Sequence, residues 1–133
     1  MLRLQLATSR PVQAIDITDQ LTSRRWPDGL LLLSVEHTTA ALFLGESGSE
    51  MFADYERVAA RLVADHGPFQ HERWNPGNAE SHVLSGFIGT QRFLPVSEGR
   101  LELGTWQRLI FLELDGPRQR SIAVMSLAAQ PVE

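Results

Sequence analysis

Short apolar segments separated by turn residues fill the last third of this 133-residue chain and place the strongest limit on its fold. The apolar segments lie near 91–96, 100–103, 107–114 and 120–128. Ser-Glu-Gly at 97–99 and Asp-Gly-Pro at 115–117 stand between them as turn sequences. Such turns favour tight connections, so the pattern predicts a meander of antiparallel neighbouring strands. The length fits one apolar core, and we expect a single domain over 1–133.

The first two thirds of the chain combine strand patterns with helix patterns. Alternating residues at 2–8 predict a strand, and apolar runs at 30–35 and 40–44 predict two buried strands. Two main helices are predicted at 47–64 and 78–88. The segment 65–77 holds two prolines and two glycines and is predicted to be a loop with a functional role. The sequence therefore predicts an α+β fold.

Candidate caps mark the ends of the predicted helices. Ser47 and Glu50 have the spacing of a capping box. Thr18 is predicted to cap a short helix through 26, and Asn78 to cap the helix that Gly89 ends. The apolar face of helix 47–64 is predicted to consist of Met51, Tyr55, Val58 and Leu62.

Histidines offer most of the possible chemistry. His37 follows a buried strand and precedes Thr38 and Thr39. Its imidazole can bind a metal or exchange a proton, while the threonine hydroxyls can bind phosphate oxygens. His82 lies in the first turns of a predicted helix, where the helix dipole favours a neutral imidazole, the form that binds metals. The alternatives are a His37 bonded to backbone and a solvated His82 or His71.

Acidic and aromatic side chains near strand ends are further candidates. Glu113 interrupts an apolar strand and shares a face with its apolar neighbours, so it requires a buried Arg partner or a position in a site. Glu46 comes near His37 if the strands at 30–35 and 40–44 form a hairpin. Trp106 can fill apolar space and Gln107 can donate and accept hydrogen bonds. Arg118 and Arg120 can bind an anion or decorate an edge strand.

Several of these strings together resemble the YjbQ family, and the likeness covers nearly the whole chain. The matching strings are His37-Thr38-Thr39-Ala40, Glu46, Phe69-Gln70-His71, Asn78, Ser81-His82, Gly104-Thr105-Trp106-Gln107, Glu113, and Arg118 with Arg120. Three positions depart from the family pattern. Gly45 and Ser47 replace the asparagines that flank the family glutamate, and Leu84 replaces a basic residue.

The resemblance implies an α+β fold with an antiparallel β-sandwich-like core, two main helices and a homotrimer with ligand clefts near subunit contacts. It also implies a secondary thiamine-phosphate synthase, which joins a pyrimidine diphosphate to a thiazole phosphate and releases pyrophosphate, as a main or a side activity. The alternatives are a non-catalytic metal- or ligand-binding trimeric module and a metal-assisted phosphohydrolase.

The residues and the resemblance together give each candidate an expected role. A divalent metal, Zn or Mg, is expected on His37, His71 and His82. The expected catalytic residues are His37, Glu46, Gln107 and Glu113. A phosphorylated small molecule is expected to contact Thr38, Thr39, Asn78, Trp106 and Arg118.

Composition excludes several other classes of function. A net charge of −4 argues against a general nucleic-acid binder, because phosphate backbones require clustered cations. The chain has no cysteine, so disulfides, thiol nucleophiles and thiolate metal sites are excluded. The longest apolar run, 30–33, is too short to span a bilayer, and residues 1–7 lack the apolar stretch of a secretory signal. We therefore expect a cytoplasmic protein without a membrane partner.

Overall fold

Two antiparallel sheets form the body of the protein in a computed structural model, which describes residues 1–73 and 77–132. The strands are β1 (Leu2–Ala7), β2 (Gln13–Asp16), β3 (Gly29–Val35), β4 (Ala40–Gly45), β5 (Gln91–Ser97), β6 (Arg100–Leu101), β7 (Arg108–Glu113) and β8 (Gln119–Leu127). The helices are α1 (Thr18–Thr22), α2 (Ser49–Arg61) and α3 (Ala79–Ile88), with 3₁₀ turns at Ala64–His66 and Gln70–Arg73. The predicted α+β class, sandwich-like core and two main helices are confirmed.

The strand order explains which parts of the chain meet. One sheet has the order β1-β8-β3-β5-β6, and the other has the order β2-β7-β4. The first and last strands are neighbours, with Leu2 opposite Val124 and Ala7 opposite Gln119. Strand β8 then pairs with β3 on its other side, so the C-terminal strand lies inside the larger sheet.

The main core lies between the two sheets and follows from simple alternation. Leu31, Leu33 and Val35 are buried on β3, while Leu30 and Leu32 between them are only half-buried. Leu109 and Phe111 of β7 complete this core from the smaller sheet. Residues two apart point to one face of a strand, so the larger sheet has one face in the core and one toward solvent.

Strand β7 is apolar on both faces, and this makes the smaller sheet a middle layer. Ile110 and Leu112 point away from the inter-sheet core and pack against Ala59 of α2 and Leu84 of α3. Leu84, where the family pattern has a basic residue, is thus a core residue with 2% of its surface exposed. The molecule therefore has three layers: the five-stranded sheet, the three-stranded sheet and the helices.

The predicted meander is only partly correct. The turn at 97–99 does connect β5 and β6, with Ser97 opposite Arg100. Glu98 and Gly99 have φ values of 53° and 77°, the left-handed conformation of tight hairpin turns. The turn at 115–117 is not a hairpin, because β7 and β8 belong to different sheets. A meander would leave one face of β7 in solvent, whereas both faces of β7 require apolar cover.

The helix caps also differ from the prediction. Helix α2 begins after Gly48 with no side-chain cap, so Ser47 and Glu50 do not form a capping box. Helix α1 ends at Thr22, and the Thr18 hydroxyl accepts the Leu109 N–H instead of capping.

The N-terminus of helix α3 is capped by a side chain from outside the helix. The Glu72 carboxylate accepts hydrogen bonds from the N–H groups of Gly77 (2.8 Å) and Ala79 (3.3 Å). The Asn78 side chain makes no cap, and Gly89 ends the helix as predicted. Part of the predicted loop at 65–77 forms the two 3₁₀ turns, and its residues 74–76 lie outside the described residues.

The apolar face of α2 is rotated from the predicted one. Its most buried side chains are Ala59 and, just beyond the helix, Val63. Val58 and Leu62, predicted for the core, are 46% and 57% exposed. A small residue at the contact allows α2 to lie close to the middle sheet, and that contact selects the face with Ala59.

A buried ion pair joins the two sheets at one end of the core. Glu113 on β7 and Arg120 on β8 are 0% and 2% exposed, and Arg120 Nε donates to Glu113 at 2.8 Å. Thr8 donates its hydroxyl to the same carboxylate at 2.7 Å, and the N–H groups of Leu114 and Asp115 donate at 3.0 and 3.1 Å. Burial by itself raises the pKa of Glu113, but the bonds from Arg120, Thr8 and Asp115 lower it overall.

Replacing Glu113 by Gln tests how much this ion pair contributes to the stability of the fold. Glu113→Gln keeps the shape of the side chain but leaves the buried Arg120 charge without its partner, so we expect the free energy of unfolding to fall by about 3–5 kcal/mol. Urea unfolding at neutral pH measures this change. Glu36→Gln is the matched control, because Glu36 pairs with Arg3 at the surface and its loss should change stability far less. Equal effects of the two substitutions would contradict this account.

Candidate functional site

An open polar pocket of about 720 Å³ lies where the chain crosses from β7 to β8. Its walls come from the β3–β4 connection, the start of α3 and the segment between β7 and β8. Six of the predicted site residues line it together: His37, Thr38, Thr39, Asn78, His82 and Arg118. These residues come from three separate parts of the chain, which the fold brings to one end of the sandwich.

His37 is fixed in one hydrogen-bonding state by the backbone of β8. The Ser121 N–H donates to His37 Nε2 at 2.9 Å, so this nitrogen is an acceptor and the neutral ring carries its proton on Nδ1. Burial lowers the pKa of His37, and the nearby Arg120 charge lowers it further, while Glu113 and Glu36 partly oppose them. At neutral pH the ring is therefore uncharged, with Nδ1–H available as a donor.

Thr38 and Thr39 lie side by side but have different surroundings. Thr39 is buried, and Arg120 Nη2 donates to its carbonyl at 3.1 Å and to its hydroxyl at 2.9 Å. Thr38 is exposed at the pocket wall. The buried pair of Arg120 and Glu113 thus holds the backbone at Thr39 and leaves the Thr38 hydroxyl accessible.

Asp115 organises the other side of the pocket. Its carboxylate accepts hydrogen bonds from Arg118 Nη2 (2.9 Å) and from Asn78 Nδ2 (3.2 Å). Arg118 Nε also donates to the Asp115 carbonyl at 2.8 Å. The Arg118 side chain is still 52% exposed, so it presents a fixed guanidinium to the pocket.

The histidines do not meet at one point. His71 packs its ring on that of His82, with centroids 4.8 Å apart, but His71 does not line the pocket that His37 and His82 share. Among the described residues, His71 Nδ1 and Asn78 Oδ1 are buried with no hydrogen-bond partner. Within residues 1–73 and 77–132, no group of three His, Asp or Glu side chains is placed to bind one metal ion.

The fit of a metal to these residues is poor for a second reason. His37 Nε2 already accepts the Ser121 N–H, and Nδ1 then carries the proton, so neither nitrogen has a free lone pair. Zn or Mg bound by His37, His71 and His82 does not match this arrangement. The metal stays a prediction.

Three predicted site residues lie at the opposite end of β7. Gly45 and Arg108 are paired there, and Glu46, Trp106 and Gln107 adjoin them. The six residues of β7 span about 20 Å, since a strand rises about 3.4 Å per residue. The hairpin that would bring Glu46 to His37 is wrong, because β3 and β4 belong to different sheets.

The same three residues have ordinary local contacts. The Glu46 carbonyl accepts the Tyr55 hydroxyl at 2.8 Å, and Gln107 Oε1 accepts the Gly104 N–H at 2.8 Å. Trp106 is 74% exposed, so it does not fill the core. Within one chain these residues cannot contact a small ligand held near His37.

Glu113 lies at the end of β7 that is near the pocket, but its side chain does not line the pocket. Its carboxylate is fully buried and accepts bonds from Arg120, Thr8 and two backbone N–H groups. It cannot touch a ligand, so the predicted direct catalytic role does not fit, and Glu113 is a positioning residue. This is the ion-pair alternative that the alternation on β7 leaves open.

Sequence reasoning missed Asp115 and the backbone of Ser121. Asp115 directly follows a buried strand, a signal that could have marked it as a site residue beyond its place in a turn. The Ser121 N–H has no signal in the sequence, because any residue except proline supplies the same group. Its role depends on β8 passing beside His37.

A second cavity, of about 510 Å³, lies between α2 and α3. Its described walls are mainly apolar, with Ala59, Phe69 and Leu84, and they include no histidine or arginine. We therefore place the candidate chemistry in the pocket with His37. Among the described helices, none has the length and apolar character required to cross a membrane.

The lowered pKa of His37 predicts a specific pH dependence of stability. The unfolded chain binds the His37 proton near the ordinary value of about 6.5, before the folded protein does, so acidification through this range favours unfolding. We expect the free energy of unfolding to fall less steeply from about pH 7 to pH 5 in His37→Gln, whose amide oxygen can accept the Ser121 N–H at any pH. Denaturant titrations at several pH values compare the two proteins. Identical pH profiles would contradict the assignment.

Comparisons with known proteins agree with this architecture. The family model described as "UPF0047 protein YjbQ-like" matches residues 2–129. A UPF0047 protein of Archaeoglobus fulgidus is 39% identical over 95% of this chain and 100% of its own. The UPF0047 protein YugU of Bacillus subtilis is 34% identical over 89% of this chain and 92% of its own.

Solved structures show the same fold. A hypothetical protein of Aeropyrum pernix K1 superposes with a TM-score of 0.86 at 34% identity, over 96% of this chain and 97% of that one. A YbjQ-like protein of unknown function from Sulfolobus solfataricus has a TM-score of 0.82 at 32% identity, over 92% of this chain and 91% of that one. Because sequence and structure agree over nearly all of its length, this chain belongs to the YjbQ-like UPF0047 protein family.

Proposed function

We propose that this protein is an enzyme that joins a pyrimidine diphosphate to a thiazole phosphate and releases pyrophosphate, as thiamine-phosphate synthases do. The observation that carries the proposal is the uncharged His37 ring, an N–H donor in the same pocket as the fixed guanidinium of Arg118. The reaction itself is inferred from the likeness of the motifs at His37 and His82 to those of the family. The donors in the pocket are suited to binding a phosphate group.

Phosphate recognition follows from the donors that line the pocket. Arg118 provides a permanent positive charge and several N–H groups, a combination suited to phosphate oxygens. His37 Nδ1–H and the exposed Thr38 hydroxyl add two neutral donors beside it. A volume of about 720 Å³ lies within the usual range for small-molecule sites.

The proposed reaction needs charge stabilisation more than a general base. The bond between the pyrimidine methylene carbon and the diphosphate oxygen breaks, and pyrophosphate leaves with the electron pair. The thiazole nitrogen then donates its lone pair to the methylene carbon and becomes a thiazolium. Arg118 and His37 stabilise the negative charge that grows on the departing pyrophosphate, and the pocket aligns the two rings.

The carboxylates of the pocket support this choice of chemistry. Glu36 is paired with Arg3, and Asp115 is paired with Arg118, so both described carboxylates at the pocket are occupied by arginine. Since the attacking nitrogen carries its own lone pair, the coupling does not require a carboxylate to remove a proton. A phosphohydrolase must activate water, and this arrangement favours it less.

Single substitutions test the proposed donors. We expect His37→Ala and Arg118→Gln each to lower kcat/KM for thiamine-phosphate formation by about 10²–10³-fold, the usual cost of losing one donor to a developing charge. Product is measured with the pyrimidine diphosphate and thiazole phosphate supplied, in the presence of Mg or Zn. Arg61→Gln is the matched control, because Arg61 lies in the last turn of α2, away from the pocket.

The outcome of the assay separates the alternatives. Wild-type protein that forms no product with either metal would overturn the transferase proposal. Release of inorganic phosphate from the substrates would then indicate a phosphohydrolase, and saturable binding without turnover would indicate a ligand-binding module. Metal analysis of the purified protein tests the predicted Zn or Mg.

We also propose that the protein assembles as a homotrimer. Support comes from the solvent-facing side of the five-stranded sheet, where Leu32 lies opposite Phe93 on one neighbour and Met125 on the other. Phe93 and Met125 are 55% and 42% exposed. An uninterrupted apolar row of this kind favours contact with another protein surface.

Light scattering at micromolar concentration tests the assembly. We expect a mass of three times 14.9 kDa for the wild type and a smaller mass for Phe93→Glu, because a charge in the apolar row opposes its burial. Gln91→Glu on the same strand is the control, since Gln91 bonds Ser34 at the polar end of that face. A wild-type mass of one chain would contradict the trimer.

A further inference from the structure

A separate pocket of about 430 Å³ lies between the end of α1 and the β5–β6 hairpin. Arg24 and Arg25 follow α1 along the chain, and Arg100 belongs to β6. All three line this pocket, together with Trp26. Its described walls share no residue with those of the pocket around His37, so it is a distinct feature of the molecule.

The three arginines have no carboxylate partner among the described residues. Ion pairs in those parts of the chain are formed by six other arginines: Arg3, Arg10, Arg57, Arg108, Arg118 and Arg120. None of those pairs involves Arg24, Arg25 or Arg100. Three cations outside those ion pairs thus lie at one place in a chain whose net charge is −4. Their mutual repulsion is relieved when an anion lies between them.

The acidic residues near these arginines in the chain do not line the pocket. Asp28 Oδ1 accepts the Gly99 N–H at 2.9 Å, and neither Asp28 nor Glu98 lines this pocket. Glu98 contributes its backbone carbonyl, which accepts Arg25 Nη2 at 2.6 Å. The described walls of the pocket therefore carry positive charge without a carboxylate.

Two of the pocket side chains are held in place before any ligand arrives. The Arg25 guanidinium lies against Gly99, where an added Cβ would come within 2.7 Å of Nη2. Trp26 donates its indole N–H to the Leu21 carbonyl at 2.8 Å, and its backbone N–H to the Gly99 carbonyl at 3.1 Å. Its ring packs on the inter-sheet core and forms a rigid wall. Fixed donors lose little entropy on binding, which favours affinity.

We propose that this pocket is a second anion site, which binds the phosphate groups of a multiply charged phosphate compound. Three guanidinium groups from two segments match several phosphate oxygens better than one carboxylate, because each guanidinium forms paired N–H bonds. The Trp26 ring gives an organic substituent a flat surface to stack on. Inorganic pyrophosphate and a ring-bearing diphosphate ester share the recognised chemistry.

Nitrogen-resolved NMR of the whole chain tests the site, with inorganic pyrophosphate and adenosine diphosphate as separate probes. The Arg25 Nε–H and Trp26 indole N–H signals should shift saturably with a Kd of about 1 mM or tighter at low salt. Arg25→Gln combined with Arg100→Gln should weaken binding at least tenfold. Arg61→Gln is the control and should leave the affinity unchanged. Tighter binding of adenosine diphosphate would indicate an organic ligand on Trp26, and equal binding a free phosphate compound.

The result is independent of the function proposed for the other pocket. The same titration in His37→Ala should still shift the Trp26 signal, even though the donor of the first pocket is lost. Absence of a saturable shift in the wild type would overturn the proposal. So would a protein with both Arg25→Gln and Arg100→Gln whose affinity stays within twofold of the wild type.

Discussion

The buried pair of Glu113 and Arg120 is the interaction on which the rest of the site depends. It connects the two sheets at the end of the core, and it is fully hydrogen-bonded on the carboxylate side. Arg120 also bonds Thr39 at the start of β4, so one guanidinium fixes both a sheet contact and a pocket wall. A buried pair of charges contributes little net stability unless its geometry is satisfied, and here it specifies which strand ends meet.

The polar pocket is a consequence of that arrangement. Strand β8 begins beside the β3–β4 connection, after the chain has crossed from one sheet to the other. Its Ser121 N–H sets the tautomer of His37. Asp115, on the crossing itself, orients Arg118 and Asn78. The pocket therefore combines a neutral imidazole, a fixed cation and the accessible Thr38 hydroxyl, although the chain as a whole is acidic.

The sequence could predict what local chemistry decides and could not predict what distant contacts decide. The hairpin at 97–99 was predictable because Ser-Glu-Gly is a turn sequence, and Glu98 and Gly99 adopt the left-handed conformation of a tight turn. The inward position of Glu113 followed from strand alternation alone. Asn78 was a reasonable cap by local rules, but Asp115 binds its amide and Glu72 caps the helix instead.

The same distinction explains the candidate site. His37, Thr38 and His82 were identified because they stand at predicted element ends, and the fold does bring them to one pocket. Glu46 was placed beside His37 by an assumed hairpin of two strands, β3 and β4, that lie in different sheets, whereas Gln107 was assigned to the site by the family resemblance. Sheet membership depends on the apolar cover of both faces of β7, which only the complete packing reveals.

The pairing of β1 with β8 has a consequence for how the chain folds as it is made. Strand β8 lies between β1 and β3 in the sheet, yet it leaves the ribosome after both of them. Until it arrives, β1 has no partner in this sheet, and β3 can pair only with β5, which also pairs with β6. The edge of β3 that β8 will occupy stays open until then, and unpaired strand edges make nascent chains prone to associate. The larger sheet is therefore completed only after β8 has been made.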